Sequence, residues 1–280
     1  MSILQKVSLP RAIITHIALW IACVIAVFPF LRVVTISLRP GNNLFSTSFS
    51  LIPPEATLEN YYRLFTERQF FQWVFNSFVI TSTTAILGVV LASTAAYAFS
   101  RYKFPGRMAG LSFLLMTQMI PGTMLILPQY LIMAKTNMLD TYMGLIIAYS
   151  VGTLPFSVWV LKGYFDTIPR SLEEAAFVDG CSEMQAFYKI VLPLSKPALA
   201  IVFLFNFMSS WNEVLVAYTV LGKPEMKTWP LGLMELQAGF NVAWGQFAAG
   251  SVLISIPTIL LFFVSSKYMM SGLTLGAVKG

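Results

Sequence analysis

Six times along this chain a long apolar stretch passes with at most one formal charge: Ala12 to Leu31, Phe70 to Phe99, Met108 to Met133, Thr141 to Leu161, Ala198 to Val220 and Phe247 to Val264. A run of roughly 20 apolar residues crosses hydrocarbon as a helix, because a helix satisfies its backbone N–H and C=O groups from within. The runs therefore predict an all-α, polytopic membrane protein with six transmembrane helices. Composition agrees, with 11% charged residues against about 25% in soluble domains. Lys6 and Arg11 precede the first run as they would in a signal peptide. The run is too long for one and no small-residue cleavage site follows, so it reads as an uncleaved anchor.

The net charge of +6 is spread through short loops, not gathered into a patch, so no nucleic-acid partner is expected. The loop after the second run carries Arg101, Lys103 and Arg107 without an acid, whereas the loop after the third carries only Lys135 and Asp140. The positive-inside rule places the former in the cytosol and the latter outside. Both termini are then cytoplasmic. The N-terminus occupies residues 1–11, and the spans 12–31, 70–99, 108–133, 141–161, 198–220 and 247–270. Loops 32–69, 134–140 and 221–246 are external; loops 100–107 and 162–197 and the tail 271–280 are cytoplasmic.

In the first external loop, Pro40-Gly41-Asn42-Asn43 and Pro53-Pro54 mark turns, and Thr57 to Tyr62 leads into an amphipathic helix before the second span. In the third, Lys223-Pro224 and Trp229-Pro230-Leu231-Gly232 read as turns, followed by a short helix or protruding hairpin over Leu233 to Phe240. No internal repeat is visible, so an inverted-repeat carrier has no direct support.

The cytoplasmic stretch SLEEAAFVDGCSEMQAFYKIVLPLSKP, Ser171 to Pro197, is punctuated unusually for so apolar a chain. Ser171 with Glu174, and Ser182 with Gln185, each fit a capping box at a helix start. Asp179-Gly180 stops the first helix, Pro193 stops the second, and Pro197 opens the next span. Helices shorter than about 12–15 residues are marginal in water, so both need support. Met184, Phe187, Ile190 and Val191 are placed on one face of the second, and Ala175 and Ala176 keep the first thin. Periodicity leaves two supports open: the ends of the chain's own spans, or a partner protein.

Glu174-Ala175-Ala176, Asp179-Gly180, Phe187, Ile190, Leu192-Pro193 and Pro197 resemble the EAA loop of the membrane subunits of ABC importers. Cys181 stands where that family usually has alanine. The resemblance extends to Phe75-Asn76-Ser77, Tyr97-Ala98-Phe99-Ser100-Arg101, Trp211-Asn212-Glu213 and the tail from Ser271, which are similar to carbohydrate-uptake permeases. The tail is most similar to that of the smaller permease subunit in maltose and maltodextrin importers. The resemblance implies a type I importer transmembrane domain. It implies that Glu173, Glu174, Ala175, Ala176, Asp179, Gly180, Phe187, Leu192 and Pro193 couple to a cytosolic ATPase. By the same likeness Gly276, Ala277, Val278, Lys279 and Gly280 reach the ATPase interface. Glu235, Leu236, Gln237, Ala238, Gly239, Phe240 and Asn241 stand where a scoop enters the binding protein. The implied partners are a second, non-identical permease, a homodimeric cytosolic ATPase and an extracytoplasmic sugar-binding protein at the bacterial inner membrane.

The chain has no G-x-x-x-x-G-K-[ST] phosphate loop, so ATP and Mg are expected on the partner ATPase and no cofactor on this chain. His16 is the sole histidine, and neither a metal site nor a catalytic triad is expected. Cys23 and Cys181 are read as structural thiols. Glu213 is costly in hydrocarbon, so it should face a pore, a partner or the headgroup region. Gln118, Asn206, Asn212 and Glu213 are the candidate pathway residues, and hydrogen bonding between neighbouring helices is the competing role for each amide. Pro121, Pro128, Pro155 and Pro257 lie within spans and can kink them. The expected function is import of oligosaccharides, maltodextrins first. Import of another sugar, a polyol or glycerol phosphate on the same architecture, and a proton-coupled carrier of a different class, are the alternatives.

Overall fold

A computed structural model of the chain describes residues 9–41, 52–53, 55–238 and 242–276. These residues form α1 (Leu9–Ser37), α2 (Glu59–Glu67), α3 (Phe70–Arg101), α4 (Arg107–Thr117), α5 (Ile126–Lys135) and α6 (Tyr142–Thr167). Then follow α7 (Ser171–Val178), α8 (Glu183–Ala186), α9 (Leu192–Leu194), α10 (Lys196–Trp211), α11 (Leu215–Val220), α12 (Trp229–Glu235) and α13 (Trp244–Gly276). There is no strand among the described residues. Backbone packing divides the chain into two units, residues 1–69 with 233–254, and 70–232 with 255–280.

In the first unit, α1 is apolar on all sides and exposed along most of its 29 residues, as expected of a helix whose surroundings are lipid or another subunit. Its last turn is tied down: the Ser37 and Tyr61 hydroxyls lie 2.8 Å apart, and the Asn60 amide donates to the Ser37 and Arg39 carbonyls at 3.0 and 2.8 Å. The amphipathic α2 is thereby fixed to the end of α1. Gly245 is required beside it, since a Cβ there would lie 2.3 Å from Asn60 Oδ1.

The second unit is built on α3 and α6, with α10 packed against both. The buried Ala85, Ala92 and Ala96 line α3 together with Gly88, a row of small residues that lets neighbouring backbones approach. At Gly88 the approach is closest: a Cβ would stand 2.6 Å from Asn206 Nδ2 of α10. The apolar core continues through Val158, Leu161 and Phe165 of α6, Phe187, Val191, and Ala198 and Val202 of α10.

Among the described residues four helices are long and apolar enough to cross a membrane unbroken: α1, α3, α6 and α13. The other two expected spans are not continuous helices. The run from Met108 is broken after α4 and resumes as a 3-10 turn, Gly122–Leu125, and α5, with a 97° bend. Pro121 accounts for the break, because it can neither donate to the helix nor leave Gln118–Ile120 room to continue it. The run from Ala198 ends as α10 at Trp211, and α11 restarts after Asn212–Val214. Residues Trp229 to Gly232, read from sequence as a turn, are the first turn of α12. Pro230 is tolerated there because an N–H at that position would have no partner in the helix.

Candidate functional site

The segment from Ser171 to Leu194 forms two short helical pieces, and polar contacts tie them to the ends of α3 and α6. Arg101, the last residue of α3, carries the main clamp. Its Nε donates to Glu173 Oε1 at 2.6 Å, Nη1 to the Ser100 hydroxyl at 3.1 Å and Nη2 to the Ile168 carbonyl at 3.2 Å. The other Glu173 oxygen accepts the Tyr97 hydroxyl at 2.9 Å. A carboxylate removed from water needs a charged partner and filled lone pairs, and Glu173, only 4% exposed, has both.

A second layer surrounds that pair. Ser100 donates to Asp166 at 2.7 Å, Lys162 bridges the same carboxylate at 2.6 Å, and Arg170 donates to the Ser100 carbonyl at 3.0 Å. Tyr102 donates to Glu183 at 2.6 Å, linking the loop after α3 to α8. The hydrogen bond to Glu183 holds the Tyr102 phenol above its ordinary pKa, and burial and the Glu183 charge add to this. The Tyr97 ring packs 4.7 Å from that of Phe187, which is buried. The Tyr164 hydroxyl reaches the Leu194 carbonyl at 3.2 Å.

The expected residues thus divide by role. Glu173, Ala176 and Phe187 face inward, while Glu174, Ala175, Asp179, Gly180 and Pro193 are exposed and Leu192 is half-buried. Gly180 has φ +83°, the left-handed conformation expected at a helix stop. The Cys181 N–H closes the turn on the Ala176 carbonyl at 2.9 Å. The Ser182 capping box is present in both directions, at 3.3 Å from the Gln185 N–H to Ser182 Oγ and 2.9 Å from the Ser182 N–H to Gln185 Oε1.

Three local expectations are corrected. Ser171 does not cap α7: Arg170 is the cap residue and makes no side-chain cap bond. The turn begins upstream at Pro169, whose carbonyl already accepts the Leu172 N–H, so Ser171 falls inside the helix. Pro193 does not stop the second helix. Residues Phe187–Val191 widen into a π turn, with the Leu192 N–H on the Phe187 carbonyl, and this register accommodates a residue without an N–H. The chain turns at Ser195 instead, by 78°, and Pro197 stands in the first turn of α10. Met184, assigned to the apolar face, is 61% exposed; the buried positions are Ala186, Phe187 and Val191.

The pathway candidates are not equivalent. Asn206 is buried in the α3, α6 and α10 contact, where Oδ1 accepts the Ser157 hydroxyl at 2.9 Å. Asn212 is exposed and donates to the Met208 carbonyl, while Gln118 donates to the Gly152 carbonyl at 3.4 Å. Glu213 lies between α10 and α11; Oε1 accepts the Val216 N–H at 2.9 Å, and its carbonyl accepts the Tyr149 hydroxyl. In the expected scoop, Glu235 ends α12, Leu236 is buried, and Gln237 and Ala238 are exposed in the following turn. Gly239, Phe240 and Asn241 lie outside the described residues. Gly276 closes α13, and Ala277, Val278, Lys279 and Gly280 lie outside them too.

Sequence reasoning gave no role to Asn76, which is fully buried. Its amide donates to the Glu225 and Lys227 carbonyls at 2.8 and 2.9 Å, and Oδ1 accepts from Gln72 and Tyr142. Beside it, Ser77 accepts the Trp229 N–H at 2.8 Å. These two residues pin residues 225–229 to α3. An amide and a hydroxyl side by side early in an apolar run were the available signal.

Among the described residues no cluster of His, Cys, Asp or Glu is arranged to hold a metal. The chain belongs to the family described as binding-protein-dependent transport system inner membrane component, which matches residues 66–271. It is therefore the multi-pass permease of an ABC importer, works with a substrate-binding protein, and leaves ATP hydrolysis to a separate subunit. It is 39% identical to the maltose/maltodextrin transport system permease protein MalG of Salmonella typhimurium, over 96% of each chain. It is 36% identical to the galactooligosaccharides transport system permease protein GanQ of Bacillus subtilis, again over 96% of each. Its fold matches a chain of a bacterial ABC transporter involved in alginate import, with a TM-score of 0.80 and 23% identity over 96% of this chain and 100% of that one.

Proposed function

We propose that this chain is one of two non-identical permeases in an importer of maltodextrin-type oligosaccharides. Both termini, α7, α8 and α9 lie in the cytosol. The Arg101–Glu173 clamp carries the coupling assignment, because it fastens the short helices to α3 while leaving Glu174, Ala175, Asp179 and Gly180 exposed for an ATPase. ATP and Mg bind that homodimeric ATPase. Its closure pushes on α7 and biases the spans from inward-facing to outward-facing. Shifting such an equilibrium from about 1:99 to 99:1 takes roughly 5.5 kcal/mol, which a floppy loop could not transmit. The tail residues Gly276 to Gly280 are assigned to the ATPase interface and residues Glu235 to Asn241 to the sugar-binding protein, both from the family resemblance.

The saccharide assignment rests on the names of the relatives, and galactooligosaccharides are the second reading because one relative is named for them. The test is uptake and ATPase stimulation in a reconstituted complex, with maltotriose, a galactooligosaccharide, a polyol and glycerol phosphate compared. Stimulation by maltotriose above the others is expected. Stimulation by glycerol phosphate or the polyol alone would overturn the saccharide reading.

A further inference from the structure

Where α3 gives way to α4, basic and apolar groups stand side by side. Lys103, Phe104, Gly106, Arg107, Met108 and Ala109 line an open groove of about 480 Å³ there. Arg107 is already oriented: its Nε donates to the Phe99 carbonyl at 2.7 Å, while its two terminal nitrogens make no hydrogen bond among the described residues. Lys103 is exposed and has no ion-pair partner among them. The Phe104 ring packs 5.6 Å from that of Phe99, which fixes the apolar side of the groove.

From this groove an apolar face runs along α4. Leu111 is buried, Gly110 and Leu114 are half-buried, and Trp159 of α6 donates to the Leu111 carbonyl at 3.1 Å, so that side of α4 faces the protein. The opposite side carries Met108, Phe113 and Met116, which are 71%, 66% and 62% exposed. The family is an inner-membrane component, and an apolar strip of this kind accepts either an acyl chain or a neighbouring helix.

Charge decides between them. No Asp or Glu occurs anywhere from Phe70 to Lys135. The carboxylates that the fold brings to this end of α3 are engaged: Glu173 by Arg101, Glu183 by Tyr102, and Asp166 by Lys162 and Ser100. Arg107 is close enough to feel the Asp166 charge, but that carboxylate is already bridged. Two cations without acids of their own, at the head of an apolar strip, match the phosphate and the acyl chain of an acidic lipid.

We propose that the loop from Lys103 to Met108 and the exposed face of α4 hold one anionic phospholipid, of the phosphatidylglycerol kind. Its phosphate lies between Lys103 and Arg107, and an acyl chain lies on Met108, Phe113 and Met116. The test uses the assembled importer, otherwise free of cysteine, with a bimane attached at Ser112→Cys on the same exposed side of α4. The complex is placed in phosphatidylcholine nanodiscs containing increasing fractions of brominated phosphatidylglycerol or brominated phosphatidylcholine. Half-maximal quenching is expected at about tenfold lower fraction of the brominated phosphatidylglycerol, as each basic group near the surface contributes about fivefold. Lys103→Gln should lower that preference about fivefold, and Lys103→Arg should leave it within about twofold of the parent. Raising the salt should weaken it too. Equal quenching by the two lipids overturns the acidic-lipid site. Quenching by neither means that a protein subunit covers this face, and overturns it as well. A preference unchanged in Lys103→Gln overturns the placement of the phosphate. All three leave the permease reading intact.

Discussion

Arg101 and Glu173 are 2.6 Å apart, with side chains only 8% and 5% exposed, and they join the end of α3 to the first turn of α7. An ion pair this buried is not by itself a source of stability, but removing one partner strands the other charge. Arg101→Ala should therefore destabilise the permease by about 3–5 kcal/mol. The double variant Arg101→Met with Glu173→Leu should recover most of that. Thermal unfolding of the detergent-solubilised complex measures both, and equal losses in the single and double variants would contradict the clamp.

Glu174 is adjacent in sequence yet exposed. Glu174→Lys is expected to leave unfolding within about 0.5 kcal/mol of the parent, as surface changes do, while lowering transport-coupled ATPase activity at least about tenfold by placing like charge or a clash at the docking face. Glu173→Lys should instead fail at the folding step. Comparing unfolding temperature with ATPase stimulation separates the two, and matching profiles would contradict the division of roles.

Nothing lies within 4 Å of a Cβ built on Gly180, so its cost on substitution comes from the backbone alone at φ +83°. Gly180→Val should destabilise by about 1–2 kcal/mol, and Gly180→Asn, which enters the left-handed region more readily, by less. Denaturant midpoints order the two. A valine variant as stable as the asparagine one would contradict this account.

Gly88 and Asn206 should show coupled substitutions. Gly88→Ala brings a Cβ to 2.6 Å from Asn206 Nδ2, and overpacking of that kind costs typically about 1–3 kcal/mol. In a double-mutant cycle, the loss should shrink when Asn206→Ala is already present. Additive losses would mean that the two residues do not press on each other.

Asn76→Leu removes two donated bonds from the carbonyls of Glu225 and Lys227 and strands the Tyr142 hydroxyl. The partners are only partly buried, so the loss should be about 1–3 kcal/mol in all, and the variant should unfold early. Limited proteolysis should then cut first between Lys223 and Thr228. Unchanged cleavage there would mean that α3 does not hold this segment.

The sequence alone determined the helical class, the four apolar runs that fold as unbroken helices, and the exposed loop with Gly180 and the Ser182 capping box. These are local properties: twenty apolar residues in a row, a glycine that takes positive φ, a serine three residues before a glutamine. Their physics closes within a turn or a span. It failed where the deciding partner is distant in sequence or where neighbouring turns compete. Pro169 began the turn that displaced the Ser171 cap, and the π turn at Phe187–Val191 absorbed the proline expected to end the helix. Only the tertiary structure separated Glu173 from Glu174, because only there does Arg101, 72 residues earlier, meet one of them. It also moved Asn206 into a helix contact. In an apolar chain the few polar side chains choose their partners by three-dimensional proximity, and hydropathy along the sequence carries no record of that choice.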